Sequence, residues 1–305
     1  MPRAAKSSPA TPVPYLRPEA ITFLRNLAKH NDREWFAPRK PQFEAQLKEP
    51  MLAIVRKITD AMTDFAPNHV RPAEKSLFRI YRDTRFSHDK RPYKTHVAAW
   101  WSHQGLEKTS GAGYYFQVSP KGVVIAAGAY MPEKEQLAQI RHWLLDNHED
   151  FRKILRKPAV RKTFSEFEGE ALTRPPKGFP PDHPAIDLIR CKQWGLSTTL
   201  PAGAAQRKDF AKVLVKHFKL LAPMVDALNT PIAAAAAPKR KPRRSVPVLL
   251  ISFSPGAFAP LPRTLACLEY DSGSGTGESS RGPLPKLRAG CKLSIAPTMR
   301  RKGRK

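Results

Sequence analysis

Cysteine is nearly absent from this chain of 305 residues, where Cys191, Cys267 and Cys291 are the only three. Their odd number and wide spacing make neither a disulfide framework nor a CxxC metal pair. A reducing, cytoplasmic setting is therefore expected. Long apolar runs are missing too. The longest, from Val246 to Phe258, is broken by Pro247 and Pro255, and it falls short of the roughly 20 apolar residues a membrane helix requires. The stretch Met1 to Pro14 carries Arg3 and Lys6 without the apolar segment of a secretory leader. No membrane partner is expected.

The common catalytic signatures are likewise lacking. There is no phosphate-cradling Walker loop and no Gly-x-Ser-x-Gly elbow. Gly111-Ala112-Gly113 precedes a strand instead of leading from one into a helix, which is the wrong context for a dinucleotide. His88, His96 and His103 with Asp89 match neither a helix-face HExxH pair nor a zinc finger, so hydrogen-bonded or solvated histidines are expected. Ser87-His88-Asp89 are sequence neighbours, which does not create a triad. No cofactor and no metal follow from these residues.

Acid is scarce relative to base, with 26 Asp and Glu against 53 Lys and Arg for a net charge of +27. Such an excess favours polyanionic partners through steered encounter and phosphate neutralisation. Its distribution matters more than its size: Pro238 to Lys305 holds 15 basic and 3 acidic residues, leaving +12 there and +15 in the rest. Past Asn229 the chain turns to Ala233 to Ala237, then the basic run Lys239 to Arg244, then a Ser/Gly stretch at 272–280. A segment without apolar periodicity cannot offset its ordering entropy. Three parts are expected: a disordered 1–14, a single domain over 15–229, and a basic, disordered tail over 230–305.

Within the domain, Pro18-Glu19 opens a helix with Ile21, Leu24 and Leu27 on one side, and Asp32 caps a segment holding Trp35 and Phe36. Pro38 and Pro41 interrupt it. Helical spacing of Leu52, Val55, Ile58 and Met62 marks a helix over 51–65. From Leu77 the period drops to two, with Phe78 and Ile80 alternating with Arg79, Tyr81 and Asp83, as in a strand. The runs 114–118 and 123–127 flank Ser119-Pro120-Lys121-Gly122 and read as a hairpin. Trp100 and Trp101 read as core or sheet-edge packing, with base stacking the functional alternative. A long helix follows Pro132-Glu133 with Leu137, Ile140, Leu144, Phe151 and Leu155 on one stripe; a short one lies near 184–191 and a last one over about 206–228. Helices, clustered strands, then helices indicate α+β, with a mainly antiparallel sheet and C-terminal helices packed on it.

The densest polar stretch, Arg79 to Lys94, interleaves cations, two carboxylates and aromatics. Arg holds an oxygen pair through two parallel hydrogen bonds and Lys adds a mobile point charge. Arg79, Arg82, Arg85, Lys90, Tyr93 and Lys94 are thus the candidate ligand-binding residues, and Asp83 and Asp89 the candidate catalytic ones. The bland reading is that these arginines pair with the two aspartates in a structural network.

Arg-Ile-x-Arg-Asp-x-Arg-Phe at Arg79 to Phe86, Asp-Lys-x-Pro-Tyr-Lys-Thr at Asp89 to Thr95, Asn31 to Phe36 upstream and Gly128 to Pro132 downstream together resemble the bacterial and fungal family called domain of unknown function 2461. The resemblance runs from about Leu16 to Asn229 and includes Pro175 to Phe179 and Asp182-His183-Pro184. It departs from the family pattern at His30, Phe43, Pro38 and Pro41. It implies an α+β domain and supplies no activity. Three functions remain open: a binder of, or an enzyme on, an anionic small molecule; a nucleic-acid-associated protein contacting phosphates through its basic surface and, nonspecifically, its tail; and a structural protein whose charged cluster ties a loop to the sheet. The sequence leaves the oligomeric state open.

Overall fold

The computed structural model describes residues 13–106, 111–164 and 171–236. The chain divides into two compact units, Met1–Pro238 and Lys239–Lys305, and every described residue belongs to the first. The expectations for 1–12 and for the tail from 237 onward lie outside the described residues.

Pro18 suits the first turn of α1 (Pro18–Lys29), whose Ala20, Ile21, Phe23, Leu24 and Leu27 are buried along one side. The Asp32 carboxylate then accepts from the Trp35 N–H at 2.7 Å and starts α2 (Arg33–Phe36). Pro38 and Pro41, expected to interrupt this segment, instead retune it. The backbone tightens to a 3-10 turn over Ala37–Arg39, resumes as α3 (Lys40–Phe43), widens to a π turn over Glu44–Lys48 and continues as α4 (Glu49–Phe65). Each proline removes one N–H from the ladder. The π turn lies just before Pro50, where the Glu49 N–H reaches back to the Glu44 carbonyl.

After the short α5 (Ala73–Ser76), β1 (Val97–Trp101), β2 (Gly113–Ser119), β3 (Gly122–Ala129) and β4 (Trp194–Leu200) form an antiparallel sheet in sequence order. The expected hairpin is β2–β3, closed at Ser119 opposite Gly122, with Ser119 Oγ bonded to the Lys121 N–H and the Gly122 carbonyl. At Gly128, φ is +136° and a Cβ would collide with the Trp194 carbonyl of the neighbouring strand, so only glycine allows β3 and β4 to pair there. Between these strands run α6 (Lys134–Leu155), α7 (Pro158–Thr163) and α8 (Ile186–Ile189). Gln136 fastens the start of α6, accepting from the N–H groups of Glu133 and Gly111.

The chain ends its described part in α9 (Phe210–Ala236), which continues past Asn229 because alanines are strong helix formers and Ile232 is buried. Its Phe210 and Phe218 pack edge-on or tilted against Phe116, Trp101 and Tyr114 of the sheet. The core is thus a four-stranded sheet with α4 and α9 on one face, an α+β fold. Among the described residues no helix is long and apolar enough to cross a membrane.

The stretch from Leu77 to Asp83 differs from the strand its alternation suggests. Leu77 makes a single antiparallel bridge to Ala99 on β1, and Phe78 N–H donates to the Ala98 carbonyl at 2.9 Å. Beyond that point the chain leaves β1 and folds on itself: Tyr81 bridges Tyr93, with Lys94 N–H on the Ile80 carbonyl and Arg82 N–H on the Pro92 carbonyl, both at 2.8 Å. Pro92 has no N–H to return the bond, so the ladder stays at one bridge.

Candidate functional site

The loop from Arg79 to Lys94 carries its carboxylates in ion pairs. Asp89 accepts from Arg82 Nη1 at 2.5 Å and from Arg91 Nε and Nη2 at 3.0 and 2.7 Å. Arg91 and then Arg82 hold its carboxyl well below the usual range. Asp83 takes a two-pronged bond from Arg85, at 3.1 and 2.9 Å. Lys90 Nζ donates to the Thr84 carbonyl, and Lys94 Nζ to the Arg79 carbonyl, each at 3.1 Å. Lys94 also lies 4.9 Å above the Phe78 ring, and burial, followed by the nearby Arg79, lowers its pKa. Arg79 joins no ion pair among the described residues.

Asn31 draws this loop to the N-terminal helices. Its side chain donates to the Tyr93 carbonyl and accepts from the Tyr93 N–H, both at 3.0 Å. The Tyr93 ring is 5% exposed and stacks on Phe36 with centroids 4.2 Å apart. Between the two segments opens a cleft of about 450 Å³, lined by Arg33, Lys40 and Arg82 with Phe36, Tyr81 and Tyr93. No carboxylate lines it. Arg33 and Lys40 make no ion pair with any described residue, and the Tyr93 hydroxyl has no hydrogen-bond partner among them. Burial, then Tyr81, raises the Tyr93 pKa, with Arg33 pulling against them and the neighbouring Asp32 adding to the rise, so the phenol remains a neutral donor at ordinary pH.

The sequence-derived candidates therefore separate. Arg82 and Tyr93 line the cleft; Arg79 lies along an adjoining one. Arg85, Lys90, Lys94, Asp83 and Asp89 do not line the first cleft and are engaged within the loop. Arg33, Lys40 and Tyr81 were missed. Arg33 and Lys40 belong to helical segments outside the charged stretch, and only the Asn31–Tyr93 contact across 62 positions reveals what they face. Of the histidines, His88 is exposed, whereas His96 is desolvated and, with Lys94 and Arg82 nearby, its pKa falls to about 4. Among the described residues no cluster of three or more His, Cys, Asp or Glu is placed to hold a metal. Trp101 is fully buried, with its indole N–H on Thr59 Oγ1 at 3.0 Å.

The family described as conserved hypothetical protein (DUF2461) matches this chain over residues 19–226, and the chain belongs to it. Comparison with the curated proteins and with the solved structures finds no match. Two of the stretches on which the sequence resemblance rests, Asn31 to Phe36 and Arg79 to Thr95, meet at this cleft.

Proposed function

We propose that this member of DUF2461 binds a small anionic ligand, a phosphate or carboxylate compound, in the cleft between α2 and the 79–94 loop. Supporting the reading above all is that the cleft is lined by three cations and no carboxylate, with Arg33 and Lys40 outside every ion pair of the described residues. A cation left uncompensated beside a concave surface attracts an anion, and a planar guanidinium matches its oxygen geometry. Arg33 and Lys40 make the primary contacts, Tyr93 donates a hydrogen bond, and the aromatic rings exclude water. Arg82 is shared between Asp89 and the ligand. In this reading Asp83 and Asp89 orient arginines, and Asp89 takes no proton, because a carboxylate of depressed pKa is a weak base.

Calorimetric titration of the full chain with inorganic phosphate, phenyl phosphate and benzoate tests the proposal. Saturable binding at low salt is expected for at least one of them, reduced at least ten-fold in Arg33→Gln/Lys40→Gln, with the circular dichroism spectrum unchanged. Unaltered affinity in that double variant would remove the cleft from consideration.

A further inference from the structure

A second cleft of about 260 Å³ adjoins the first and shares Phe36, Lys40 and Tyr81 with it. Its character is different. The walls are Phe43, Met51, Leu52, Leu77, Ile80 and Val97, supplied by α3, α4, the start of the charged loop and β1. Its polar lining is Arg79 with two carboxylates already engaged, Glu44 with Lys48 at 4.0 Å and Glu74 with Arg56 at 2.9 Å, besides the shared Lys40 and Tyr81. Tyr81, 47% exposed, stands in the wall common to both spaces. A cationic recess and a slot with largely apolar walls thus lie side by side, sharing Phe36, Lys40 and Tyr81.

We infer that the ligand is an anionic amphiphile: its phosphate or carboxylate head lies in the Arg33/Lys40 cleft and its apolar chain runs past Tyr81 into the slot. The inference rests on the proposed anion site and adds the ligand class. Charge complementarity places the head, because the first cleft has Arg33, Lys40 and Arg82 in its lining and no carboxylate, whereas the second, which Lys40 and Arg79 also line, carries Glu44 and Glu74. The lining that the two clefts share, Phe36, Lys40 and Tyr81, places the chain. Apolar surface removed from water supplies affinity that a phosphate contact at an exposed cation does not.

The test is a series of inorganic, butyl, hexyl and octyl phosphate, titrated into the full wild-type chain below their micellar concentrations. Affinity is expected to rise, by up to about four-fold for each methylene buried, and to level off once the slot is full. Octanol, which lacks the head, is expected to bind at least ten-fold more weakly than octyl phosphate. Leu77→Trp, filling the slot, is expected to abolish the chain-length gain while leaving inorganic phosphate binding within two-fold; should that variant fail to fold, the wild-type series decides alone. A flat series in which all phosphates bind equally overturns the amphiphile and leaves the anion site standing. Absence of binding by any phosphate overturns both. Binding to vesicles containing phosphatidic acid without binding of free octyl phosphate also overturns the inference, since the chain is then read at a membrane surface and not in the slot.

Discussion

Two polar regions of this domain follow opposite rules. Where β2 begins and α9 nears its end, His69, Ala112 and Asn229 form a seam shut away from water: Asn229 accepts from the Ala112 N–H at 2.8 Å and donates to its carbonyl at 3.0 Å, and His69 Nε2 meets the same carbonyl at 3.1 Å. His69 and Asn229 are 1% and 4% exposed. In the 79–94 loop the bonds are more numerous and the groups fully charged, yet Arg85 and Arg91 remain more than half exposed at their side chains. Charge density is therefore a poor guide to mechanical importance. A neutral bond in a dry seam leaves an orphaned group when broken, whereas an exposed ion pair is exchanged for water at little cost.

The largest expected effect breaks the seam. Asn229→Ala removes the partner of a buried main-chain N–H and one partner of a buried carbonyl, and is expected to cost about 3 kcal/mol in urea titration. Asn229→Asp keeps the acceptor, loses the donor and adds a buried charge, so it is expected to cost no less. A loss below about 1 kcal/mol in either variant would show that water enters the seam and would erase the contrast with the loop.

A second effect of similar size is read in pH. Burial pushes the His69 pKa from 6.5 to about 4, with His103 and Arg71 acting in the same direction and the Ala112 carbonyl opposing them. The unfolded chain binds this proton near pH 6.5 and the folded one only near 4, so the unfolded state holds more protons between those values and stability rises with pH there. Lowering pH from 6.5 to 4 is expected to remove about 3 kcal/mol through His69 alone. The desolvated His96 adds a loss of the same sign. His69→Gln is expected to flatten the profile measured by thermal denaturation over this interval, and an unchanged slope would locate the acid sensitivity elsewhere.

Much of this architecture is written in periodicity. The 3.6-residue spacing of α1, α4 and α6 and the two-residue alternation around Ser119-Pro120-Lys121-Gly122 give the helices and the hairpin directly. β1 and β4 are less legible. Val97-Ala-Ala-Trp-Trp101 and Trp194-Gly-Leu-Ser-Thr-Thr-Leu200 lack strict alternation, and their pairing with β2 and β3 arises from register across the sheet. The strand expected at Leu77 has the right alternation but pairs with β1 only at its start, and its later residues bond to the returning 92–94 segment instead. The charged stretch announced the place of the candidate site, and Arg82 and Tyr93 do line its cleft. Arg33, Lys40 and the apolar slot stayed hidden, because the Asn31–Tyr93 junction that assembles them is a tertiary contact with no local signature.

The smallest expected effect is the loop's own contribution to stability. From the sequence, Arg82→Gln would be severe if it stranded a buried carboxylate, but the Asp89 side chain is 36% exposed and is held by Arg91 as well as Arg82. With one arginine still in place and water available to the other oxygen, no uncompensated buried charge results. Arg82→Gln and Arg85→Gln are each expected to leave the urea midpoint at the wild-type value near pH 7. What these pairs do contribute shows at low pH. The folded carboxyl of Asp89 lies below its unfolded value, so its stabilisation is present above about pH 4 and is lost as pH falls through the acid range. Replacing Arg82 and Arg91 together by Gln removes that stabilisation, so the acid-range dependence is expected to vanish and the midpoint at pH 7 to fall by the same amount, a small one because the pairs are solvent-exposed. A large drop at pH 7 in the double variant would mean that the loop is held shut by its charges, and would place it with the buried seam as a structural element.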